Sequence, residues 1–135
     1  KNGKMNHERA LSDEKFNALF GESGTPVMFA FHGFEDLIES IFYERQHLGA
    51  HVHGYREDGD ITTTYDMRVY SELDRFHQAK EAAQVLAAKG VIAADEAEAF
   101  DNKIDAILAK HFEVTRNEGH DIEEFTDWKW TALNK

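Results

Sequence analysis

The residues best able to do chemistry crowd into one stretch, Val52-His-Gly-Tyr-Arg-Glu-Asp-Gly-Asp-Ile-Thr-Thr-Thr-Tyr-Asp-Met67. Hydroxyls of Thr62, Thr63 and Thr64, the planar fork of Arg56 and the N-terminus of a following helix could converge on one oxyanion. His53 stands just upstream and could join them. Three carboxylates (Glu57, Asp58 and Asp60) weigh against an anion there. The alternative is a self-satisfied Ω-like loop. In that reading Arg56 pairs with Glu57 or Asp66, Tyr55 is structural, and a threonine caps the helix.

Four other groups carry chemical potential. His32 precedes Gly33 at the end of an apolar run, where ligands gather outside the carboxyl ends of strands in open α/β sheets. It can meet substrate or another domain, or be satisfied by backbone. His51 and His53 share a strand face and could hold Zn²⁺, with a third ligand from His32 or Asp66. Eight histidines in 135 residues make such pairs easy by chance, and no ligand set completes itself. Asp74-Arg75 reads as a structural ion pair in mid-helix, with Arg75 reaching Ser71, Glu72 or a strand. Trp128 and Trp130 either anchor an interface or cover a sheet edge. No residue qualifies as catalytic, and no metal site is expected.

The elements that must position these groups follow from hydrophobic period and turn chemistry. Ser12 caps a helix over Leu11–Phe20 with Phe16, Leu19 and Phe20 on its apolar edge. Val27–Phe31 is a continuous apolar run, as in a strand buried on both faces. A helix from Glu35 to Gln46 carries Leu37, Ile38, Ile41, Phe42 and Arg45 at helical spacing. Ala50–Tyr55 is a second strand. One long helix is expected over Tyr65–Ala88, with Met67, Tyr70, Leu73, Phe76, Ala83 and Leu86 on one face. Gly90 stops it. Asp95 with Glu98 resembles a capping box that opens a last helix to about Asn117. Its stripe is Phe100, Ile104, Ile107, Leu108 and Phe112. Residues 118–127 read as an acidic, solvated turn, and Trp128–Trp130 as a short edge strand. Strand, helix, strand, helix implies an α/β layer with a parallel sheet.

Bulk properties bound the function. The length fits one domain, frayed over residues 1–10 and folded over 11–135. A net charge of −11 opposes a nucleic-acid partner and an anionic membrane surface. No apolar run nears the ~20 residues that span a bilayer. The absence of cysteine excludes disulfides and thiolate chemistry, and fits a cytoplasmic protein. The chain opens on Lys1 without a signal pattern, and reads as a piece of a longer polypeptide.

Several segments then match a known family in order. Leu11-Ser-Asp-Glu-Lys-Phe16 with Leu19-Phe20, Phe29-Ala-Phe-His-Gly-Phe34, His51-Val-His-Gly-Tyr-Arg-Glu-Asp-Gly59 and Thr62-Thr-Thr-Tyr-Asp-Met67 form the first half of the set. Leu73-Asp-Arg-Phe76, Gly119-His-Asp-Ile122 and Asp127-Trp-Lys-Trp130 complete it. Together they resemble the C-terminal domain of the xylulose-5-phosphate/fructose-6-phosphate phosphoketolases across residues 11–130.

The resemblance implies a three-layer α/β sandwich, like the C-terminal domain of transketolases, with a small, mostly parallel sheet flanked by helices. The domain's first strand and helix would lie upstream of Lys1. It implies a parent enzyme that uses thiamine diphosphate and Mg²⁺. That enzyme cleaves a ketose phosphate with inorganic phosphate to acetyl phosphate and an aldose phosphate. The partners implied are a sugar phosphate, the upstream domains of the same chain, and a second subunit in a homodimer. The domain itself is expected to be architectural, inactive alone and free of cofactor. The rival reading is a free-standing α/β module that captures a small anion near Thr62–Thr64.

Overall fold

The computed structural model describes residues 11–21, 24–43, 45, 49–56, 59 and 61–127. They fall into two compact units that divide between Arg56 and Glu57. The expectations for residues 1–10 and for Trp128 and Trp130 lie outside the described residues.

The first unit is built around a βαβ crossover. β1 (Val27–Phe31) and β2 (Ala50–Gly54) are parallel, paired from Val27 opposite Ala50 to Phe31 opposite Gly54. Parallel neighbours need a crossover, and α2 (Glu35–Phe42) supplies it. α1 (Asp13–Phe20) precedes the sheet, and its Lys15 N–H donates to the Ser12 hydroxyl at 3.3 Å, the expected cap. Phe16 and Phe42 are buried at the centre, with Phe20, Val27, Phe29, Ile38 and Ala50 packed round them. Ring centroids there lie 4.7 Å apart for Phe16 and Phe20 and 4.8 Å for Phe29 and Phe42, the range in which tilted pairs attract. α1 and α2 thus cover the same face of the sheet.

That one-sided packing corrects two expectations. β1 is not buried on both faces: Ala30 is exposed and the other four residues are only partly covered. The side chains of Met28 and Ala30 share their face with His51 and His53 through the strand register. Leu19, assigned to the apolar edge of α1, is 67% exposed, because Phe16 and Phe20 already fill the contact with Phe42. α-Helical structure in α2 ends at Phe42 rather than Gln46, and β2 ends at Gly54.

The second unit is helical: α3 (Thr64–Tyr70), α4 (Arg75–Ala88), α5 (Ala94–Glu118) and α6 (Glu123–Thr126). The single long helix expected over 65–88 is broken. Glu72 turns to φ 53°, the sole non-glycine positive φ among the described residues, and Asp74 caps a new helix. α4 ends in a Schellman motif: Gly90 donates to the Ala87 carbonyl at 2.9 Å and Val91 to that of Leu86 at 2.9 Å. The Gly90 φ of 69° is the left-handed value this motif requires. α5 opens two residues before the expected box, with Ala93 N–H donating to Glu96 Oε2 at 3.2 Å. Its buried stripe is Ala97, Ile104, His111 and Thr115, whereas Phe100 and Phe112 are exposed. α4 packs along α5, tied at the surface by Lys80 to Asp105 and Gln84 to Asp101. The acidic turn at 118–127 contains α6, whose Phe125 is buried.

Candidate functional site

In the first unit the polar groups gather at the carboxyl ends of the two parallel strands. Tyr55 N–H donates to the Gly33 carbonyl at 2.8 Å. Gly54 N–H donates to Glu35 Oε1 at 3.1 Å, so the first turn of α2 is pinned to the end of β2. A Cβ on Gly54 would meet the Glu35 nitrogen at 2.6 Å and the Gly33 oxygen at 2.8 Å. Only glycine permits that approach. His32 is exposed, and its ring stacks on Tyr55 at 4.6 Å between centroids. The sequence placed His32 at the strand end, and the structure adds Tyr55 as its companion. His53 is half-buried on the face away from the aromatic core, and Arg56 is exposed. No three His, Asp or Glu side chains come together as a metal ligand set among the described residues.

Three apolar side chains, the N-cap Phe34 and two of α2, lie outside the core. Phe34 is 57%, Leu37 55% and Ile41 63% exposed. Their spacing of three and four residues makes one continuous apolar stripe.

In the second unit the threonines meet carboxylates. Thr62 Oγ1 donates to Asp66 Oδ2 at 2.5 Å. Thr63 caps α3 by accepting from Asp66 N–H at 3.1 Å, and donates its own proton to Asp121 Oδ1 at 2.5 Å. Thr64 is exposed in the first turn. Both hydroxyls are thus committed, which favours the capped-loop reading over anion capture at this helix end. The pairing of Arg56 with Glu57 falls outside the described residues. The Asp66 carboxylate is held by Thr62 and by His111, whose Nε2 lies 3.2 Å from Asp66 Oδ1.

His111 is the hub. It is wholly buried, with Asp121 Oδ1 at 3.9 Å, Thr115 Oγ1 at 3.4 Å and the Phe125 ring at 4.2 Å between centroids. One imidazole therefore joins α3, α5, the 119–122 turn and α6. A cleft of about 570 Å³ runs beside it, lined by Ile61, Thr62, Thr63, Asp66, Tyr70, Thr115, Arg116 and Gly119.

Asp74 and Arg75 are not a mid-helix ion pair. Asp74 is the N-cap of α4: its Oδ1 accepts from the N–H groups of Phe76 at 2.8 Å and His77 at 3.2 Å. Arg75 points away, donating to the Tyr65 hydroxyl at 2.9 Å and to the carbonyls of Glu124 and Phe125. It thereby closes the C-terminal end of α6, whose carbonyls lack helical partners. Burial pushes the Tyr65 phenol up, and Arg75 opposes that rise.

The sequence reading missed His111, Thr115 and Asp121 as a group. A signal was there: His111 and Thr115 sit seven and eleven residues after Ile104, on the same helical stripe. A polar residue on an apolar stripe needs partners. Nothing local showed that Asp66, 45 positions earlier, would be one.

A family model described as the XFP C-terminal domain matches residues 2–130. The chain belongs to that family. It is therefore a phosphoketolase C-terminal domain. It is 64% identical to a probable phosphoketolase of Lactococcus lactis over 135 residues, which is all of this chain and 16% of that protein. It is 47% identical to a probable phosphoketolase of Pediococcus pentosaceus over 124 residues, 92% of this chain and 15% of the relative. It is 46% identical to the xylulose-5-phosphate phosphoketolase of Lactiplantibacillus pentosus over 125 residues, 93% of this chain and 15% of the relative. The phosphoketolase C-terminal domain thus spans about a sixth of the length of the curated relatives it matches. No helix among its described residues is long and apolar enough to cross a membrane.

Proposed function

We propose that this domain belongs to a phosphoketolase that cleaves xylulose 5-phosphate, fructose 6-phosphate or both with inorganic phosphate. The products are acetyl phosphate and a shorter aldose phosphate. One observation carries the reading: 64% identity to a probable phosphoketolase runs through the entire chain, loops included. The relative from Lactiplantibacillus pentosus supports the pentose substrate by its name.

Thiamine diphosphate and Mg²⁺ supply the carbanion chemistry in this reading. Among the described residues no three His, Asp or Glu side chains gather as a ligand set for that metal. Mg²⁺ wants open carboxylate oxygens in an octahedral set. The carboxylates of Asp66 and Asp121 are engaged by two hydroxyls and an imidazole. This reading assigns the cofactor to the remainder of the enzyme.

The domain's own part is architectural. Phe34, Leu37 and Ile41 form a stripe that a covering surface would bury, and the relatives carry about five-sixths of their length beyond this domain. We assign that cover to the upstream domains of the same chain, in a cytoplasmic homodimer. His32, Tyr55 and Arg56, at the open strand ends, are the groups best placed to meet a neighbouring domain or the approach to the active site.

The test is acetyl phosphate formation from each ketose phosphate, with thiamine diphosphate, Mg²⁺ and phosphate present. The full-length protein should turn over and the 135-residue chain should not. Inactivity of both would remove the phosphoketolase reading and revive the small-anion module. Activity of the short chain would overturn the architectural role.

A further inference from the structure

The break between α3 and α4 holds a titratable pair that the phosphoketolase reading does not use. Asp74 is 2% exposed. Its Oδ1 caps α4, and its Oδ2 lies 2.5 Å from Nδ1 of His77, one turn inside the helix. The corner it closes, Ser71–Asp74, contains the strained Glu72. Leu73 donates back to the Arg68 carbonyl at 2.8 Å, and Gln78 Nε2 donates to the Leu73 carbonyl at 2.8 Å. The corner is thus held by these two bonds on one side and, where α4 begins, by the Asp74 carboxylate on the other.

We propose that Asp74 and His77 form a proton-controlled latch on the α3–α4 corner, closed when the imidazole is charged and loosened when it is neutral. This inference concerns a conformational device in the fold and does not rest on the enzyme assignment. The physical reason lies in the burial of Asp74. An imidazolium gives the buried carboxylate both a hydrogen-bond donor and a full counter-charge. A neutral imidazole leaves that carboxylate without a counter-charge.

The surroundings favour the charged form. The hydrogen bond to Asp74 raises the His77 pKa above its ordinary value, burial opposes it, and Glu72 adds to the rise. Lys80, one turn on, opposes it, with its ammonium turned 2.6 Å from Asp105 of α5. Arg75 is directed to Tyr65 and the α6 carbonyls instead. The sign follows from linkage. A histidine raised in the folded state contributes stability in full below its unfolded pKa of about 6.5, and loses it as pH rises through the folded value.

Hydrogen exchange followed by mass spectrometry on the full-length protein tests the latch. Protection of the segment 70–80, corrected for intrinsic exchange, is compared between pH 6 and pH 8.5. The expected result is a fall of up to about tenfold for wild type, as the imidazole loses its charge and the corner opens more often. His77→Gln should show low protection at both pH values. His77→Arg keeps its charge across the range and should hold protection level. Flat protection in wild type overturns the proposal. So does an equal pH dependence in His77→Gln, or in His77→Arg should His77→Gln fail to fold.

Discussion

The two units of this domain are stabilised by opposite means. The first packs five aromatic and aliphatic side chains round Phe16 and Phe42 and leaves an apolar stripe of α2 outside. The second turns its longest helix inward on a histidine and a threonine: His111 meets Asp66 of α3, and Thr115 meets His111 and the His120 carbonyl. Burial is non-directional, so the first core tolerates approximate placement. Hydrogen bonds are directional, so the second fixes the position of each element it touches. Both units leave apolar side chains uncovered, Leu37 and Ile41 in the first and Val91, Phe100 and Phe112 in the second.

Breaking the first core should have the largest effect. Phe42→Ala removes a ring that contacts Phe16, Phe20 and Phe29, and should cost about 3–5 kcal/mol in urea unfolding. A loss below about 1 kcal/mol would show that the aromatic cluster is not the centre of that unit. His111→Ala should follow at about 2–3 kcal/mol, because it strips a partner from buried Asp66. A double-mutant cycle with Asp66→Ala sharpens the contrast: coupling should be at least about 0.5 kcal/mol for this pair, and near zero between Phe42 and His111.

Gly54→Ala comes next. Its Cβ would press on the Glu35 nitrogen, and a forced backbone shift costs about 1–3 kcal/mol. Loss of the Gly54 to Glu35 bond should accompany it, seen as faster exchange of the amide at position 54. The smallest effect is Thr63→Ala, at about 1 kcal/mol for a lost cap. A neutral result there would mean that Asp121 does not anchor the start of α3.

How much was legible in the sequence divides along the same line. β1 and β2, the Ser12 cap and the Gly90 stop are local in cause, and the residues spell them out. The α3–α4 break was hidden because no glycine or proline marks it, and the apolar period of 3.6 runs through Leu73 and Phe76. Asp74 was the available clue, as a residue that caps better than it continues a helix. The His111 hub was not legible, since its partners lie 45 positions upstream and 10 downstream. The threonines were found by type, but their bonding to Asp66 and Asp121 reverses the charge expected of an anion site. Exposure of Leu37 and Ile41 could not be read either, because helical spacing is the same for a core face and for a docking face.

The architectural role stands or falls on that exposed stripe. Leu37→Asp with Ile41→Asp in the full-length protein is the direct measurement, read as melting temperature together with acetyl phosphate formation. Both positions are more than half exposed within the domain, where such changes alone shift stability by no more than about 0.5 kcal/mol. If the remainder of the enzyme covers the stripe, melting temperature and activity should fall together, with KM for the ketose phosphate held. Unchanged melting and unchanged activity would contradict it, and would leave the stripe as ordinary solvent-facing surface.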